Sequence, residues 1–389
     1  MSTTVAPARP SRFRERLARI AGFVRTTQAP YQAAVFRIAL STVIAAFLLR
    51  EWPHRRVLWG DRSPLSFDMA HVIASERGTF SLLSWSDDRL WFEIVYALTI
   101  AAALAVMVGW RTRTMAVLLM VGLLSVENRN LLVDDGGDNI MRIMVVYLVF
   151  TRCGRVWSLD ARRLRSQAAA KVRSDRTGVA LWIATGLFLL VGFGLPTAVD
   201  WPLVFWLLWA AHGVWYAANR DFPGHEVTRV LDAATAMLHN CAIVVIAVQV
   251  CFIYSTAGWY KIRGSLWQEG SALYYALNVD YFAPWPELSE LLASNAVIVL
   301  MLTYGTVIVQ VAFPFTLFSR RVKNVLIAVM VAEHLGIALL MGITFLSLVM
   351  VACDAVFLPT AFLLAVGGRS ERLRTHLPRL LQARSVSPG

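Results

Sequence analysis

Charge is scarce in this chain, and lysine scarcer still. Charged residues make up 16% of 389 and hydrophobic ones 57%, a balance that excludes an ordinary water-soluble domain of this size. Only three of the 37 basic residues are lysines, Lys171, Lys261 and Lys323. Cysteine is sparse too. Cys153, Cys241, Cys251 and Cys353 lie in or beside apolar runs without the paired spacings of a zinc site or disulfide framework, and read as small buried hydrophobes. No metal is expected, and no internal repeat marks a duplicated transporter. The net charge of +12 does not point to nucleic acid, because the basic residues form short clusters between apolar runs instead of lining one soluble face. That distribution suits anionic membrane lipid and the setting of topology.

What the chain has in quantity is long apolar sequence. A helix crossing a bilayer core of about 30 Å needs roughly 20 mostly apolar residues. Runs of this kind occupy 31-49, 90-110, 178-195, 200-217, 237-259, 296-318, 323-341 and 345-366. Two less regular segments, 114-133 and 138-152, are interrupted by Glu127 to Asn130 and opened by Asp138, and read as a tilted helical hairpin or a partly re-entrant pair. The expected fold is an all-α, polytopic integral membrane helical bundle of about eight to ten spans with no separate soluble domain. A basic arm at 1-29 precedes the transmembrane domain at 30-366, and a basic tail follows at 367-389. The first apolar run lacks a small-residue cleavage site and is read as a retained span. Ten spans with both termini cytoplasmic put most basic residues inside, as expected for a multi-pass protein of the cell membrane. The long 50-89 connection is then external, with room for an interfacial helix.

On this topology Arg129, Asn130, Asp138, Arg142, Lys261 and His334 gather toward the external side, and Asp354 lies nearer the middle. Ionisable groups at membrane depth pair, face a cavity or carry function. Asp138 and Arg142, four residues apart, share a helix face, as a structural ion pair or as part of a site. Ser125 to Asn130 offers polar groups that cap a helix or bind an anion. Lys261 follows Tyr254-Ser-Thr-Ala-Gly-Trp-Tyr260 at the external end of a run. It is either an interfacial lysine snorkelling beside Trp and Tyr, or a partly buried amine able to act as a base. His334, next to Glu333, is either a helix-helix hydrogen bonder or a group that holds a proton near neutrality.

The run Tyr254-Ser-Thr-Ala-Gly-Trp-Tyr-Lys261, followed by Trp267-Gln-Glu-Gly270, resembles the stretch of vitamin K-dependent gamma-carboxylase in which aromatic-x-x-Ala-Gly-x-x-Lys precedes a Trp-x-Glu-Gly turn. His334 with Gly342 and Phe345 is similar to a second carboxylase segment. Arg129-Asn130, Gly136-Gly137-Asp138 and Arg142 resemble the bacterial branch of that superfamily, the horizontally transferred transmembrane (HTTM) domain proteins, which include the sporulation-delaying protein B group. The resemblance spans most of 30-366. It implies Lys261 as a base that deprotonates a reduced quinone of the vitamin K or menaquinol type, with His334 as a second catalytic residue. Arg129, Asn130, Asp138, Arg142 and Trp267 would be cofactor-binding residues on the external face. The implied chemistry is carboxylase-like or quinol-oxidising, of lyase or oxidoreductase type. Tyr260 replaces the second lysine that precedes the carboxylase base, and the chain ends soon after its last apolar run, so peptide carboxylation is not expected. Two other roles fit the same pattern: a non-redox maturation or export factor for a secreted peptide substrate, and a transporter or lipid-binding protein.

Overall fold

The computed structural model describes residues 22, 25-170, 175-193, 200-222 and 224-368. Most of the basic arm, Lys171 and almost all of the basic tail lie outside these residues. Among the described residues every regular element is helical. In chain order the principal helices are α1 (Pro30–Arg50), α2 (Phe67–Arg77), α3 (Arg89–Val108), α4 (Thr112–Glu127), α5 (Gly136–Val149), α6 (Leu159–Ala170), α7 (Arg176–Phe193), α8 (Trp201–Asp221) and α9 (Glu226–Arg263). These are followed by α10 (Ala272–Leu277), α11 (Pro286–Ala293), α12 (Ala296–Thr316), α13 (Arg320–Leu340), α14 (Thr344–Asp354) and α15 (Thr360–Gly368).

Local chemistry sets many of the boundaries. Pro30 opens α1, where its missing N–H costs nothing. Ser66, Asp88, Asp200 and Asn295 each accept a backbone N–H at the start of α2, α3, α8 and α12. Gly78 and Gly109 end α2 and α3 in the left-handed conformation, at φ 60° and 73°.

Six helices, α1, α3, α7, α9, α12 and α13, are long and apolar enough to cross a membrane, and the number rises to seven if the bent α14–α15 pair is one span. Exposed apolar side chains such as Leu98, Val191, Val244, Ile308 and Leu339 sit on their outer faces. This is compatible with a multi-pass membrane protein. The other anticipated spans differ for physical reasons. With 16 and 14 residues, α4 and α5 reach only about 24 and 21 Å. They pack against each other as a helical hairpin, because the chain turns away after Glu127. α8 has 21 residues but stays outside the apolar set, with Trp201, Trp206, Trp209, His212, Trp215 and Asn219 along it. The 345-366 run is broken, its two halves meeting at 104°. Pro359 holds Leu358 in an extended conformation, at ψ 141°, which ends the first half.

The chain divides into two compact units. Among the described residues the larger takes in 29–149, 153–161 and 243–368. Its centre is α14, which packs against α1, α5 and α13 and buries Ser347, Val349, Met350, Ala352, Cys353 and Asp354. Around it α1 packs on α3, α3 on α4, and α12 on α13. In the 51-88 connection α2 supplies the expected extra helix, and Arg55 makes a two-pronged pair with Glu93, both bonds at 2.9 Å. Arg56, hydrogen-bonded to Asp61, holds that carboxyl below the usual range. Cys153 and Cys353 are buried as anticipated, whereas Cys241 is exposed and Cys251 half-buried.

In the smaller unit, α7 and α8 are joined by a reciprocal clasp that sequence reading missed. Trp182 and Trp209 stack at 4.0 Å, and each indole N–H donates to the other's backbone carbonyl, at 3.0 and 2.8 Å. Four residues after each tryptophan stands a glycine, Gly186 or Gly213, whose missing Cβ would lie 2.7 Å from the opposite ring. Gly186→Val is expected to cost about 1–3 kcal/mol through overpacking, read as a lower thermal unfolding midpoint of the purified chain. Trp209→Phe, losing one donor, should cost about 1 kcal/mol.

Candidate functional site

The distinctive lysine run lies in the larger unit, on the last turns of α9. Gly258 lets α9 approach α12 closely, since a Cβ there would stand 2.5 Å from the Val311 side chain and 3.3 Å from its backbone nitrogen. One turn later Lys261 Nζ donates to Gln310 Oε1 at 2.9 Å, and Gln310 Nε2 donates to Glu333 Oε1 of α13 at 2.6 Å. The amide therefore bridges an amine and a carboxyl group and fixes its own orientation, oxygen to the amine and nitrogen to the carboxyl. On its other side Lys261 Nζ stands 5.2 Å from the Trp267 ring centroid, a cation-π arrangement.

Trp267 is placed by the turn that follows α9. Gly270 at φ 75° closes it, and its N–H donates to Trp267 O at 3.3 Å. The turn lies against α12, where a Cβ on Gly270 would meet Leu300 at 2.4 Å, and Leu273 N–H donates to Thr303 Oγ1 at 3.3 Å. Lys261 is consequently opposite the interior of α12, not level with its end. The segment after it lies along α12, with Gly270 against Leu300 and Leu273 bonded to Thr303.

Beside this bridge is a second polar group. His334 is 7% exposed, and neither ring nitrogen has a hydrogen-bond partner. Its ring centroid is 5.9 Å from that of Tyr254, two turns before Lys261 on α9. Tyr254 OH donates to the Asp354 carboxyl of α14, with oxygens at 3.0 and 3.1 Å. Lys261, Gln310, Glu333, His334, Tyr254 and Asp354 thus come from four helices into one polar patch, in which Lys261 and Glu333 are half-buried and the other four buried. Seven residues beyond His334, about 10 Å along the helix axis, the link from α13 to α14 lines a cavity of about 460 Å³ together with Arg50, Asp135, Asp280, Phe282 and Phe345.

The chain matches no family model, no curated protein and no solved structure. What the site can do therefore rests on its own residues. Among the described residues no three His, Cys, Asp or Glu side chains come together to hold a metal.

The other sequence-predicted residues occupy a different place. Asp138 and Arg142 do not pair with each other. α5 starts at Gly136, which puts Asp138 in the first turn, where its carboxylate accepts the Asp135 N–H at 3.0 Å. Asp135 Oδ1 in turn accepts the N–H groups of Gly137 and Asp138 at 2.6 and 3.0 Å. This reciprocal exchange is a capping box. Arg142 reaches instead to Asp134 at 2.5 Å and to the buried Glu127 at 3.4 Å. Arg129 donates to Leu65 O at 3.1 Å, and Asn130 Nδ2 donates to Leu58 O at 2.8 Å and Ser63 Oγ at 3.3 Å. Ser125 and Asn128 bond to Ser81, Leu82 and Phe80 of the same connection. Ser125, Asn128, Arg129 and Asn130 thus fasten the 51-88 connection, while both carboxylate oxygens of the buried Glu127 lack a hydrogen-bond partner. Of the seven site residues expected, the structure brings Lys261, Trp267 and His334 together and leaves Arg129, Asn130, Asp138 and Arg142 in a structural cluster.

Sequence reading missed Gln310 and the linking roles of Glu333 and Tyr254. The available signal was polarity within apolar runs: Gln310 interrupts an otherwise apolar stretch from Val307 to Phe315, and Glu333 is a carboxylate in mid-helix.

Proposed function

We propose that this chain is a multi-pass integral membrane protein of HTTM type, with about eight to ten membrane-traversing segments and cytoplasmic termini, whose Lys261 site binds a reduced quinone and removes a proton from it. The observation that carries this reading is a half-buried amine held between an aromatic ring and an amide-bridged carboxylate, within the run that resembles the gamma-carboxylase base segment. The groups suit a quinol. Trp267 offers a face for a flat ring, Lys261 a base or cation for the hydroxyl, and His334 two open ring nitrogens for an oxygen. The quinol, when bound, supplies an acidic hydroxyl and reducing electrons.

Lys261 works here in its neutral form, taking the hydroxyl proton on Nζ, and the resulting ammonium stays beside the anion it has made. Gln310 holds Nζ in place during both states, and Glu333 balances the new positive charge through the amide. Helices α9, α12 and α13 present apolar outer faces through which an isoprenoid tail is solvated by lipid.

The direct test is quenching of tryptophan fluorescence by menaquinol in the purified, lipid-reconstituted chain. Saturable quenching that weakens in Trp267→Phe supports the reading, and failure to bind any quinol removes it.

A further inference from the structure

The cavity at the α13–α14 link carries charge of both signs. Its volume of about 460 Å³ is that of an ordinary ligand pocket, about 300–1,000 Å³. Four separate stretches of the chain line it: Arg50 at the end of α1, Asp135 just before α5, residues 280–284 between α10 and α11, and residues 341–345 joining α13 to α14. Both α1 and α13 are long and apolar enough to cross a membrane, and where they end together a bilayer presents its headgroups. The charged groups are only partly used within the protein. Arg50 Nε meets Glu51 at 3.1 Å, while its two terminal nitrogens have no hydrogen-bond partner among the described residues, and its guanidinium stands 5.1 Å from the Phe345 ring centroid. The Phe345 N–H, in the first turn of α14, also has no acceptor among them. Asp135 commits Oδ1 to the Gly137 and Asp138 N–H groups and keeps Oδ2 open, and the Asp280 carboxylate has neither hydrogen bond nor ion pair among the described residues. Beside Asp280 the rings of Tyr281 and Phe282 meet edge to face at 5.2 Å.

We propose that this cavity binds the phosphoethanolamine headgroup of a membrane lipid, with the phosphate on Arg50 and the Phe345 N–H and the ammonium on the carboxylates of Asp135 and Asp280. The balance of charge decides the ligand. Two carboxylates repel a molecule that is only anionic, and the guanidinium repels one that is only cationic, whereas a zwitterion meets both. The terminal nitrogens of an arginine match two phosphate oxygens, and three ammonium N–H donors suit carboxylate oxygens that have no other partner. A glycerol headgroup brings no positive charge to Asp280, and a choline headgroup brings no N–H. The proposal rests on α1 and α13 being membrane spans and is independent of the quinol reading of Lys261.

The test is isothermal titration of the full chain, in a non-ionic detergent, with dihexanoyl phosphatidylethanolamine, dihexanoyl phosphatidylglycerol and soluble phosphoethanolamine. The native chain is expected to bind the ethanolamine lipid saturably and one to one, and the glycerol lipid roughly 10-fold more weakly, the scale of a lost charged hydrogen bond. Arg50 and Asp280 are both exposed, so their replacement leaves the core untouched. Asp280→Asn should weaken the ethanolamine lipid alone by roughly 10-fold, and Arg50→Gln should weaken both lipids by a similar factor. Lack of saturable binding, equal affinity for the two lipids, or ethanolamine-lipid binding that neither substitution weakens overturns the site. Phosphoethanolamine that binds as tightly as the lipid would overturn the lipid source and assign the cavity to the free compound. No quinol is present in the titration, so its failure and a failure of menaquinol to bind are seen separately.

Discussion

Replacing Arg37 by methionine is expected to unfold the larger unit, not merely to loosen it. Arg37 lies in the middle of α1 with no exposure to solvent, where an unpaired charge would be prohibitive. Its guanidinium is spent entirely on backbone carbonyls: Nε on Cys153 O at 3.3 Å, Nη1 on Val106 O and on Met107 O at 2.8 Å, and Nη2 on Trp157 O at 2.8 Å. Val106 and Met107 belong to the last turn of α3, so the cation also sits at the negative end of that helix. The fit leaves no slack. Gly109, which ends α3, would bring a Cβ to 2.9 Å from Arg37 Nη1 and 2.3 Å from the Ser158 side chain. Methionine fills the space but leaves the carbonyls of Met107, Cys153 and Trp157 without this donor, at about 1–3 kcal/mol each, while Val106 O keeps the Gly109 N–H at 3.0 Å. The sum is of the same order as the whole stability of a domain, about 5–15 kcal/mol. Arg37→Met should therefore yield little monodisperse protein. Arg37→Lys keeps the charge with three donors in place of five and should give a folded chain with a lowered unfolding midpoint. A methionine variant that unfolds within about 1 kcal/mol of native would show that these bonds do not hold the unit together.

Arg37 also shows what the sequence made legible. An arginine inside an apolar run is conspicuous, but which groups it serves depends on residues 69 to 120 positions away, and no periodicity carries that information. Helix class and most helix positions were legible because apolar length is a local property. The two short helices and the bend before α15 were less so, although Pro359 was in view throughout. The lysine segment was legible as a polar end to an apolar run, but its neighbours were not: Gly258 and Gly270 bring α9 and the turn after it against α12, which continues past Lys261. The spacing of Asp138 and Arg142 suggested an ion pair, but a first-turn carboxylate is claimed by free backbone N–H groups. Arg142 was then left to Asp134 and Glu127. Gln310 went unnoticed because an amide carries no charge to mark it, and its importance lies wholly in joining Lys261 to Glu333.

Lys261→Met is expected to leave the fold intact and remove the chemistry. The side chain contributes one hydrogen bond to Gln310 and one cation-π contact to Trp267. Methionine keeps the packing volume, and the bond from Gln310 to Glu333 survives. The structural cost is about 1–2 kcal/mol, far less than for Arg37. Oxygen-dependent consumption of menaquinol by the reconstituted chain should fall by roughly 100- to 10,000-fold, the range for a lost general base, while tryptophan quenching by menaquinol persists. Lys261→Arg separates the two roles open to the amine. A guanidinium keeps its charge, can still donate to Gln310 and stack on Trp267, and cannot be deprotonated in a protein. If Lys261 acts as a base, arginine is as inactive as methionine. Activity retained in Lys261→Arg would mean that the site needs a fixed cation to hold a quinol anion formed elsewhere, and the base would have to be sought at His334.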